Sequence, residues 1–364
     1  MSEALLRIAL LHGMRHEPAD GIWNNSGRLA EALQRKGHDV TRVEVAWNTR
    51  GWKRALGDLR RDLSGGCDWV VLPYTPLLWS RRGFPWRVYL VTRAVRRSGA
   101  GLVVHIHDPL VSTGPRLIDR VRAAFQTFVV RRLSRSALRL FVSIQPGSIP
   151  WMDGSLRART VVVVTGSAIP TDAGRHSGWV KDRLRVVVFG VSPRREAQEM
   201  GDVATVLRTL KEGGVAVHLT LIGGGADRGA ALLRDDPGVR GIEIEDRGIA
   251  SEHAIDEVLA ASDVLLFVRT GVSSRRSTVI AGIAHGLPIL GYETAETGPP
   301  VTEAGVVLVP EGSAKDLADA TLGLARDPAW AAALGARSVA AAEGAFSWDR
   351  IAGVVLRGLE EADR

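Results

Sequence analysis

The sequence predicts an α/β protein with two domains, each built on a doubly wound parallel sheet. A chain of 364 residues is too long for one ordinary hydrophobic core. Its short apolar runs are rich in valine, leucine and isoleucine and lack polar alternation, as in parallel strands buried on both faces. Helical stretches separate these runs, which is the order of a doubly wound fold.

The predicted strands fall into an N-terminal and a C-terminal group of six. They cover residues 5–11, 39–45, 69–73, 102–107, 138–144 and 161–165 in the first half, and 184–190, 217–223, 241–245, 263–268, 287–292 and 306–310 in the second. Runs this short suit strands better than helices, which usually need about ten residues or more.

Helix-start residues mark several of the stretches between the strands. The clearest helical stretches are 26–37, 251–262 and 313–327. Ser26, Ser251 and Ser313 stand at their starts and are predicted N-caps, because a serine hydroxyl accepts from a free backbone N–H of the first turn. Gly37 is predicted to stop the first of these helices.

The boundary between the domains is predicted at residues 166–183, a stretch rich in glycine, serine and proline without periodicity. We therefore expect an N-terminal Rossmann-like domain at 1–168 and a C-terminal one at 169–345. Residues 346–364 predict one more helix, which we expect to pack back on the N-terminal domain.

The composition is globular and basic. With 45% hydrophobic and 24% charged residues the chain is not expected to be disordered. The net charge of +7, carried mostly by arginine, favours an anionic partner or a solvated basic surface. The single Cys67 excludes a disulfide framework and suits the cytoplasm. We expect no signal segment and no membrane span, because no apolar run approaches about 20 residues.

Three loops in the second half follow predicted strands and carry glycine, hydroxyl or arginine side chains. They are FGVSPRREA (189–197), LIGGGADRG (221–229) and RTGVSSRRST (269–278). The carboxyl ends of parallel strands share one edge of a sheet, and ligands bind there, near the reversal of strand order. We therefore expect these loops to converge on one binding site.

The third loop raises a question of charge. Arg275 and Arg276 stand where a helix is predicted to begin, although a cation at a helix N-terminus costs roughly 0.3–1 kcal/mol. A bound diphosphate removes this conflict, because its oxygens accept from the arginines and from the first helical N–H groups. The alternative is that both arginines point into water or pair with surface carboxylates.

The residues predicted to bind the diphosphate and the nucleotide are arginines, hydroxyl donors and glycines that permit close approach. They are Arg194, Arg195, Gly223, Gly224, Gly225, Ser274, Arg275, Arg276, Ser277 and Thr278.

The order of short motifs along nearly the whole chain resembles the GT-B-fold glycosyltransferases of family 4. The motifs are LRIALLHG, SGRLAEALQRKGHDV, HIHDP and VVVVTGSAIP in the first half, and LTLIGGG, ASDVLLFV, AHGLPIL, EGSAKDLADAT and FSWDRIA in the second. The resemblance implies two doubly wound Rossmann-like domains that face a cleft, the first binding an acceptor and the second a nucleotide sugar.

The resemblance also implies the reaction. A sugar would move from a nucleoside-diphosphate sugar to a glycan, lipid-linked or small-molecule acceptor, with retention and without a metal or other cofactor. Members of the family usually carry two glutamates at the positions that Ser273 and Ala281 occupy here. The segment GVSSRR resembles a subgroup in which arginines act near the phosphates instead. The resemblance therefore implies a catalytic role for Arg194 and Arg276, because arginine can stabilise the charge that develops on a leaving phosphate.

In the first half, the resemblance assigns residues to the acceptor and the sugar. Gly13, Gly21 and Asn25 lie in the first loop, which faces the cleft in the family. His107 ends a predicted strand and is assigned a catalytic role facing the sugar; a structural hydrogen bond is the alternative. With one cysteine and scattered histidines, no metal site is predicted.

Two stretches combine basic and aromatic residues, at 74–93 and 116–139. That combination is typical of a surface that contacts anionic lipid. The alternative is core packing with a solvated arginine face; nucleic acid is not expected, because no nucleic-acid module is present. We expect a cytoplasmic protein, with peripheral contact at the inner membrane face as an option.

Two rival functions remain open. The segment YETAETGPPVTEAG (292–305) resembles the non-hydrolysing sugar-nucleotide 2-epimerases, although the glycine-rich loop of those enzymes is replaced by GVSSRR. Loss of both glutamates is also compatible with a non-catalytic binding or scaffold subunit that needs a partner.

Overall fold

The computed structural model describes residues 5–14, 21–110, 114, 116–175, 183–193 and 195–362. Contacts divide these residues into two units. The first runs to Val164 and resumes at Trp348, and the second runs from Thr165 to Ser347. The division lies four residues before the boundary predicted at 168 and two residues after the one predicted at 345.

Six described strands form the sheet of the first unit. They are β1 (Arg7–His12), β2 (Asp39–Glu44), β3 (Trp69–Tyr74), β4 (Gly101–Ile106), β5 (Arg139–Val142) and β6 (Thr160–Val162). All are parallel, in the order β2-β1-β3-β4-β5-β6. The order reverses between β1 and β3, which leaves a crevice at the carboxyl ends of these two strands.

Helices cover both faces of this sheet. They are α1 (Gly21–Arg35), α2 (Trp47–Arg50), α3 (Trp52–Leu63), α4 (Pro76–Trp79), α5 (Val88–Ser98), α6 (Leu117–Ser136) and α7 (Gly154–Arg157). Strand β1 shows why its sequence lacks polar alternation: Ala9 and Leu11 join the core on one face, while Ile8 and Leu10 join the core on the other.

The first helix begins earlier than the sequence predicts. Ser26 is not its N-cap: α1 starts at Gly21, and the Ser26 hydroxyl donates to the Trp23 carbonyl over 2.8 Å inside the helix. Trp23 explains the extension, because it packs edge-on against His12 and lies under the Arg42 guanidinium, 3.5 Å from its ring centroid. Such tertiary contacts override a local capping signal.

The second unit repeats the architecture with six described strands. They are β7 (Leu184–Phe189), β8 (Val217–Ile222), β9 (Glu243–Asp246), β10 (Val264–Gly271), β11 (Ile289–Glu293) and β12 (Val306–Pro310). They are parallel in the order β12-β11-β10-β7-β8-β9, which reverses between β7 and β10. The α/β fold prediction is confirmed, and each predicted strand is present with ends within about three residues.

The helices of the second unit are α8 (Glu196–Glu212), α9 (Ala226–Asp235), α10 (Glu252–Ala261), α11 (Ser277–Ala284), α12 (Ala314–Arg326) and α13 (Pro328–Glu343). Two predicted caps are confirmed. The Ser251 hydroxyl accepts from the Ala254 N–H at the start of α10, and the Ser313 hydroxyl accepts from the Asp316 N–H at the start of α12.

The last helix, α14 (Trp348–Glu360), packs within the first unit. Its buried residues Ile351, Val355 and Leu359 join the core that Leu29 and Leu33 of α1 contribute. Two arginines form hydrogen bonds with the ends of α14: Arg35 donates to Asp349 over 2.9 Å, and Arg139 donates to the Glu361 carbonyl over 2.7 Å.

The aromatic side chains of the stretch 74–93 mainly pack inside the first unit, in agreement with the core-packing alternative, and contact of this stretch with a membrane stays a prediction. Trp79 is 1% exposed and donates its ring N–H to the Pro73 carbonyl. Phe84 packs edge-on against Phe125. Tyr74 and Trp79 fill the core of the first unit, Phe84 is half-buried, and Trp86 is the aromatic side chain of this stretch that is exposed, at 49%.

Candidate functional site

The crevice of the second unit lies at the carboxyl ends of β7 and β10, where the strand order reverses. The loop after β7 contacts the loops that follow β8 and β10. Gly225 donates its N–H to the Val191 carbonyl over 3.1 Å, and a Cβ added to Gly190 would lie 3.1 Å from Thr278 Cγ2. The three loops that we expect to converge are therefore neighbours.

The glycine run after β8 permits the close packing of these loops. A Cβ on Gly223 would lie 2.5 Å from the Val191 nitrogen, and Gly223 has φ of +139°, which disfavours other residues. A Cβ on Gly225 would lie 2.9 Å from the Ser192 carbonyl carbon. Gly224 differs, because no atom would lie closer than 3.8 Å to its added Cβ. Close approach of a nucleotide to these glycines stays a prediction.

The arginines of GVSSRR share one carboxylate that the sequence reading did not identify. Arg275 donates to both oxygens of Glu296, from Nε and Nη2, each over 2.6 Å. Arg276 Nη2 donates to the same carboxylate over 3.2 Å, and the Ser273 hydroxyl donates to it over 3.3 Å. The pair is mostly buried, since the side chains of Arg275 and Glu296 are 14% and 11% exposed.

Glu296 accounts for much of the charge at the start of α11. Burial would raise the pKa of Glu296, but the hydrogen bond and the charge of Arg275, with the charge of Arg276, outweigh it and lower the pKa. The carboxylate is therefore ionised near neutral pH and offsets one of the two arginines. Neither predicted alternative describes this arrangement fully, because the partner is a buried carboxylate rather than water or a surface one. Direct contact of Arg275 with a diphosphate stays a prediction.

Two more arginines lie at the same edge without a carboxylate partner among the described residues. Arg195 Nη1 donates to the Arg269 carbonyl over 3.3 Å, and Arg269 Nη1 donates to the Gly190 carbonyl over 3.5 Å. Arg269 lies two residues before the end of β10 and is not among the predicted site residues. The predicted catalytic residue Arg194 lies outside the described residues.

Two hydroxyl groups beside these arginines are buried without a hydrogen-bond partner. One is Ser274 Oγ, in a residue that is 3% exposed, and the other is Thr270 Oγ1. A buried hydroxyl without a partner costs about 1–3 kcal/mol. Ser274 was predicted to contact the ligand, and its free hydroxyl suits that role.

A buried glutamate supports the loop after β7. Glu199 is 2% exposed; one carboxylate oxygen accepts from the Ser192 N–H over 3.1 Å, and Oε1 has no partner. Burial raises the pKa of Glu199, and the Ser192 hydrogen bond lowers it less. No local sequence pattern identifies this residue, because a glutamate in the first turn of a helix is usually solvated.

Helices α8, α9 and α11 begin at this edge without a capping side chain. No side-chain cap hydrogen bond is made at Arg195, Gly225 or Arg276, the residues that precede these helices. The first N–H groups of a helix have no acceptor inside it, so those without a loop partner are available to an anion. The Ala226 N–H at the start of α9 already donates to the Gly223 carbonyl over 3.1 Å. Ser277 and Thr278, both predicted contacts, are the first two residues of α11.

The predicted residues of the first unit lie near the carboxyl ends of its strands. His107 follows β4, donates its backbone N–H to the Tyr74 carbonyl over 3.0 Å, and has its ring centroid 4.1 Å from that of His105. Burial, together with the nearby His107, holds the pKa of His105 well below its usual range. His105 is therefore a neutral partner for the ring of His107.

The three acceptor-side residues have different environments. A Cβ on Gly13 would lie 2.7 Å from the Leu78 carbonyl oxygen, so this glycine permits close backbone packing. Gly21 is the first residue of α1 and faces open space. Asn25, one helical turn later, has a buried Oδ1 without a partner. Their contact with an acceptor stays a prediction.

A buried hydrogen-bonded pair of side chains lies at the far end of α11. His285 is fully buried; its Nε2 lies 2.9 Å from Asp256 Oδ1 and its Nδ1 lies 2.7 Å from the Ala281 carbonyl. Burial would raise the pKa of Asp256, but hydrogen bonds from Ala173 and His285 lower it. Both ring nitrogens are satisfied within the protein, so His285 has a structural role.

Comparisons with known proteins give similarity to solved structures alone: no protein-family model matches the chain, and no curated protein sequence matches it. HepE of Anabaena, solved with UDP and glucose, aligns with a TM-score of 0.66 at 13% identity over 98% of this chain and 100% of that one. Sucrose-phosphate synthase of Thermosynechococcus elongatus aligns with a TM-score of 0.67 at 17% identity over the same shares.

A third structure belongs to another enzyme class. A Listeria monocytogenes protein assigned as a UDP-N-acetylglucosamine 2-epimerase aligns with a TM-score of 0.59 at 13% identity, over 98% of this chain and 96% of that one. Identities this low establish the architecture alone. The two parallel six-stranded units of this chain thus have the fold of the GT-B glycosyltransferases.

Proposed function

We propose that the protein is a glycosyltransferase whose donor, a nucleoside-diphosphate sugar, binds by its diphosphate at the carboxyl edge of the second sheet. The observation that carries the proposal is that three helices start without a side-chain cap after neighbouring loops, and that the loop before α11 holds the buried and unpartnered Ser274 hydroxyl. Free N–H groups, a hydroxyl donor and surplus arginine charge are what a diphosphate requires.

The arginines divide into two roles in this proposal. Arg195, Arg269 and Arg276 contact the diphosphate, and contact by Arg194 stays a prediction. Arg275 acts through Glu296, because that carboxylate already takes its Nε and Nη2. The Arg275–Glu296 pair holds the Ser274–Arg276 segment in place. The Ser274 hydroxyl and the first N–H groups of α11 can therefore donate to the diphosphate without rearrangement.

The proposed reaction breaks the bond between the anomeric carbon and the diphosphate oxygen, and forms a bond from that carbon to the acceptor oxygen. The acceptor proton passes to the departing diphosphate, which leaves as the nucleoside diphosphate. The arginines stabilise the negative charge that grows on that oxygen. In this scheme the sugar configuration is retained and no metal is needed; a role of His107 toward the sugar stays a prediction.

The structural likeness to HepE, which has been solved with UDP and with UDP-glucose, supports a UDP-sugar as the first donor to test. The first experiment is thermal unfolding of the full chain against UDP, GDP, ADP and their glucose conjugates. A ligand at about 100 times its Kd stabilises by roughly 2.7 kcal/mol. That raises the midpoint of a unit this size by about 5–10 °C. No shift with any of them argues against the donor site.

Alanine variants of two neighbouring serines test the donor site further. Ser274→Ala removes a hydroxyl that has no partner in the free protein, so stability should stay the same or rise, while nucleotide affinity should fall about tenfold. Ser273→Ala is the matched variant, because it removes a hydroxyl bonded to Glu296 and should reduce stability instead. Equal affinity for UDP in wild type and Ser274→Ala would remove Ser274 from the site.

A turnover assay distinguishes glycosyl transfer from epimerisation and from a non-catalytic binding role. The chain incubated with UDP-glucose and candidate acceptors should release UDP in step with the glycosylated product. Deuterium entering the sugar from heavy water, without UDP release, would indicate epimerisation. Nucleotide binding without turnover, restored by a partner protein, would indicate a binding subunit.

A further inference from the structure

Helices α5 and α6 of the first unit border an open groove of about 1010 Å³. Its lining includes five arginines and one exposed aromatic ring: Arg93, Arg96, Arg131, Arg132, Arg135 and Phe128. None of the described residues that line the groove is a carboxylate. A concave surface with this much positive charge and no built-in counter-ion attracts anions.

The hydrogen bonds of these arginines leave most of that charge unneutralised. Arg131 Nε donates to the Trp151 carbonyl over 2.9 Å and Arg96 reaches the Ser136 carbonyl at 3.5 Å, both of which are neutral acceptors. Arg135 lies 3.5 Å from Asp153, in a pair whose side chains are 63% and 39% exposed. Exposed pairs of this kind contribute little energy, so Arg135 can turn to another anion.

The same face of α6 carries large apolar side chains in water. Leu117, Val121 and Phe128 are 77%, 51% and 59% exposed. Their spacing of four and seven residues places them on one stripe of the helix, and Arg132 and Arg135 continue that stripe one and two turns further. Leu117, Val121 and Phe128 are exposed beside the arginine groove. A partner that covers both surfaces must therefore offer apolar groups and negative charge together.

We infer that this face of α5 and α6 docks on a bilayer that contains anionic phospholipid. Lipid phosphates would enter the arginine groove while Leu117, Val121 and Phe128 bury in the acyl-chain boundary. Nucleic acid fits less well, because it offers no apolar phase for an aliphatic leucine and valine. Among the described residues no helix is both long and apolar enough to cross a membrane.

The test is flotation of the full chain with phosphatidylcholine vesicles that contain no phosphatidylglycerol or about 30% of it. The wild type should float with the anionic vesicles alone, and 0.5 M salt should weaken this, because salt screens the arginines. The triple variant Arg93→Ala, Arg132→Ala, Arg135→Ala should bind about 100-fold more weakly, at about fivefold for each arginine. Phe128→Ala should weaken binding about tenfold.

Two matched controls remove the same charge and a similar apolar group elsewhere. Lys53→Ala, Arg54→Ala, Arg60→Ala deletes three exposed cations of α3 and should leave vesicle binding unchanged, and so should Leu232→Ala, at a site that is 45% exposed. Failure of the wild type to float, or equal loss in both triple variants, overturns the inference. The inference is also overturned if the protein binds a DNA duplex tightly and this binding depends on the groove arginines but not on Phe128. UDP affinity should be the same in all variants, so a failed donor site leaves this test intact.

Discussion

Arg275 and Glu296 form a two-pronged ion pair at the start of α11, with both N–O distances at 2.6 Å and less than a sixth of either side chain exposed. The pair joins the loop after β10 to the loop after β11, twenty-one residues later in the chain. Removing one partner of such a pair leaves the other charge buried, which is costly.

Glu296→Gln should therefore destabilise the second unit by about 3 kcal/mol, because Arg275 loses its buried counter-charge. Urea unfolding at pH 7 measures this. Glu293→Gln, at the exposed end of β11, is the control and should change stability by less than about 0.5 kcal/mol. An equal effect of the two variants would mean that the pair adds no stability.

The same pair predicts a dependence of stability on pH. The folded-state pKa of Glu296 is lowered below its ordinary 4.5, so its stabilisation is complete above that value and is lost as the pH falls through the folded pKa. Unfolding free energy of the wild type should fall more steeply than that of Glu296→Gln between about pH 5 and pH 3. Parallel curves would contradict the assignment.

The two arginines of GVSSRR should give different phenotypes. Arg276→Ala should weaken UDP binding about tenfold or more with little loss of stability, because its hydrogen bond to Glu296 is long, at 3.2 Å. Arg275→Ala should instead reduce stability, because it leaves the buried Glu296 carboxylate with the longer Arg276 hydrogen bond. Calorimetric titration and urea unfolding of both variants separate the two effects. Unchanged UDP affinity in Arg276→Ala would remove Arg276 from the diphosphate site.

The glycine run offers a matched pair. Gly223→Ala should destabilise the second unit by about 3 kcal/mol, because the new Cβ meets backbone at 2.5 Å and φ is +139°. Gly224→Ala has free space and should change stability by less than about 0.5 kcal/mol. Thermal unfolding compares the two, and a stable Gly223→Ala would show that the loops can separate.

The buried pair of Asp256 and His285 is expected to be structural. Asp256→Asn should cost about 3–5 kcal/mol, because His285 and the Ala173 N–H lose a charged acceptor in a fully buried place. UDP affinity measured below the unfolding midpoint should stay within about twofold of the wild type. Asp349→Asn, which breaks an exposed pair with Arg35, should cost less than about 1 kcal/mol.

Sequence reasoning located the strands because burial on both faces of a sheet imposes a local signature, a short run of valine, leucine and isoleucine. It located the three converging loops for a related reason: parallel strands place their carboxyl ends on one edge. The Ser26 cap was wrong because Trp23 extends α1 through contacts with His12 and Arg42, which are distant along the chain.

The sequence by itself determined the two α/β units, the glycine loop and the cluster of arginines at a helix start, because each depends on neighbours within a few residues. Only the tertiary structure decided that Arg275 is held by Glu296 and that Ser274 is buried without a partner. It also decided that Glu199 supports the loop after β7 and that α5 and α6 enclose an arginine groove. These relationships join side chains by packing and long-range electrostatics, which no local pattern encodes.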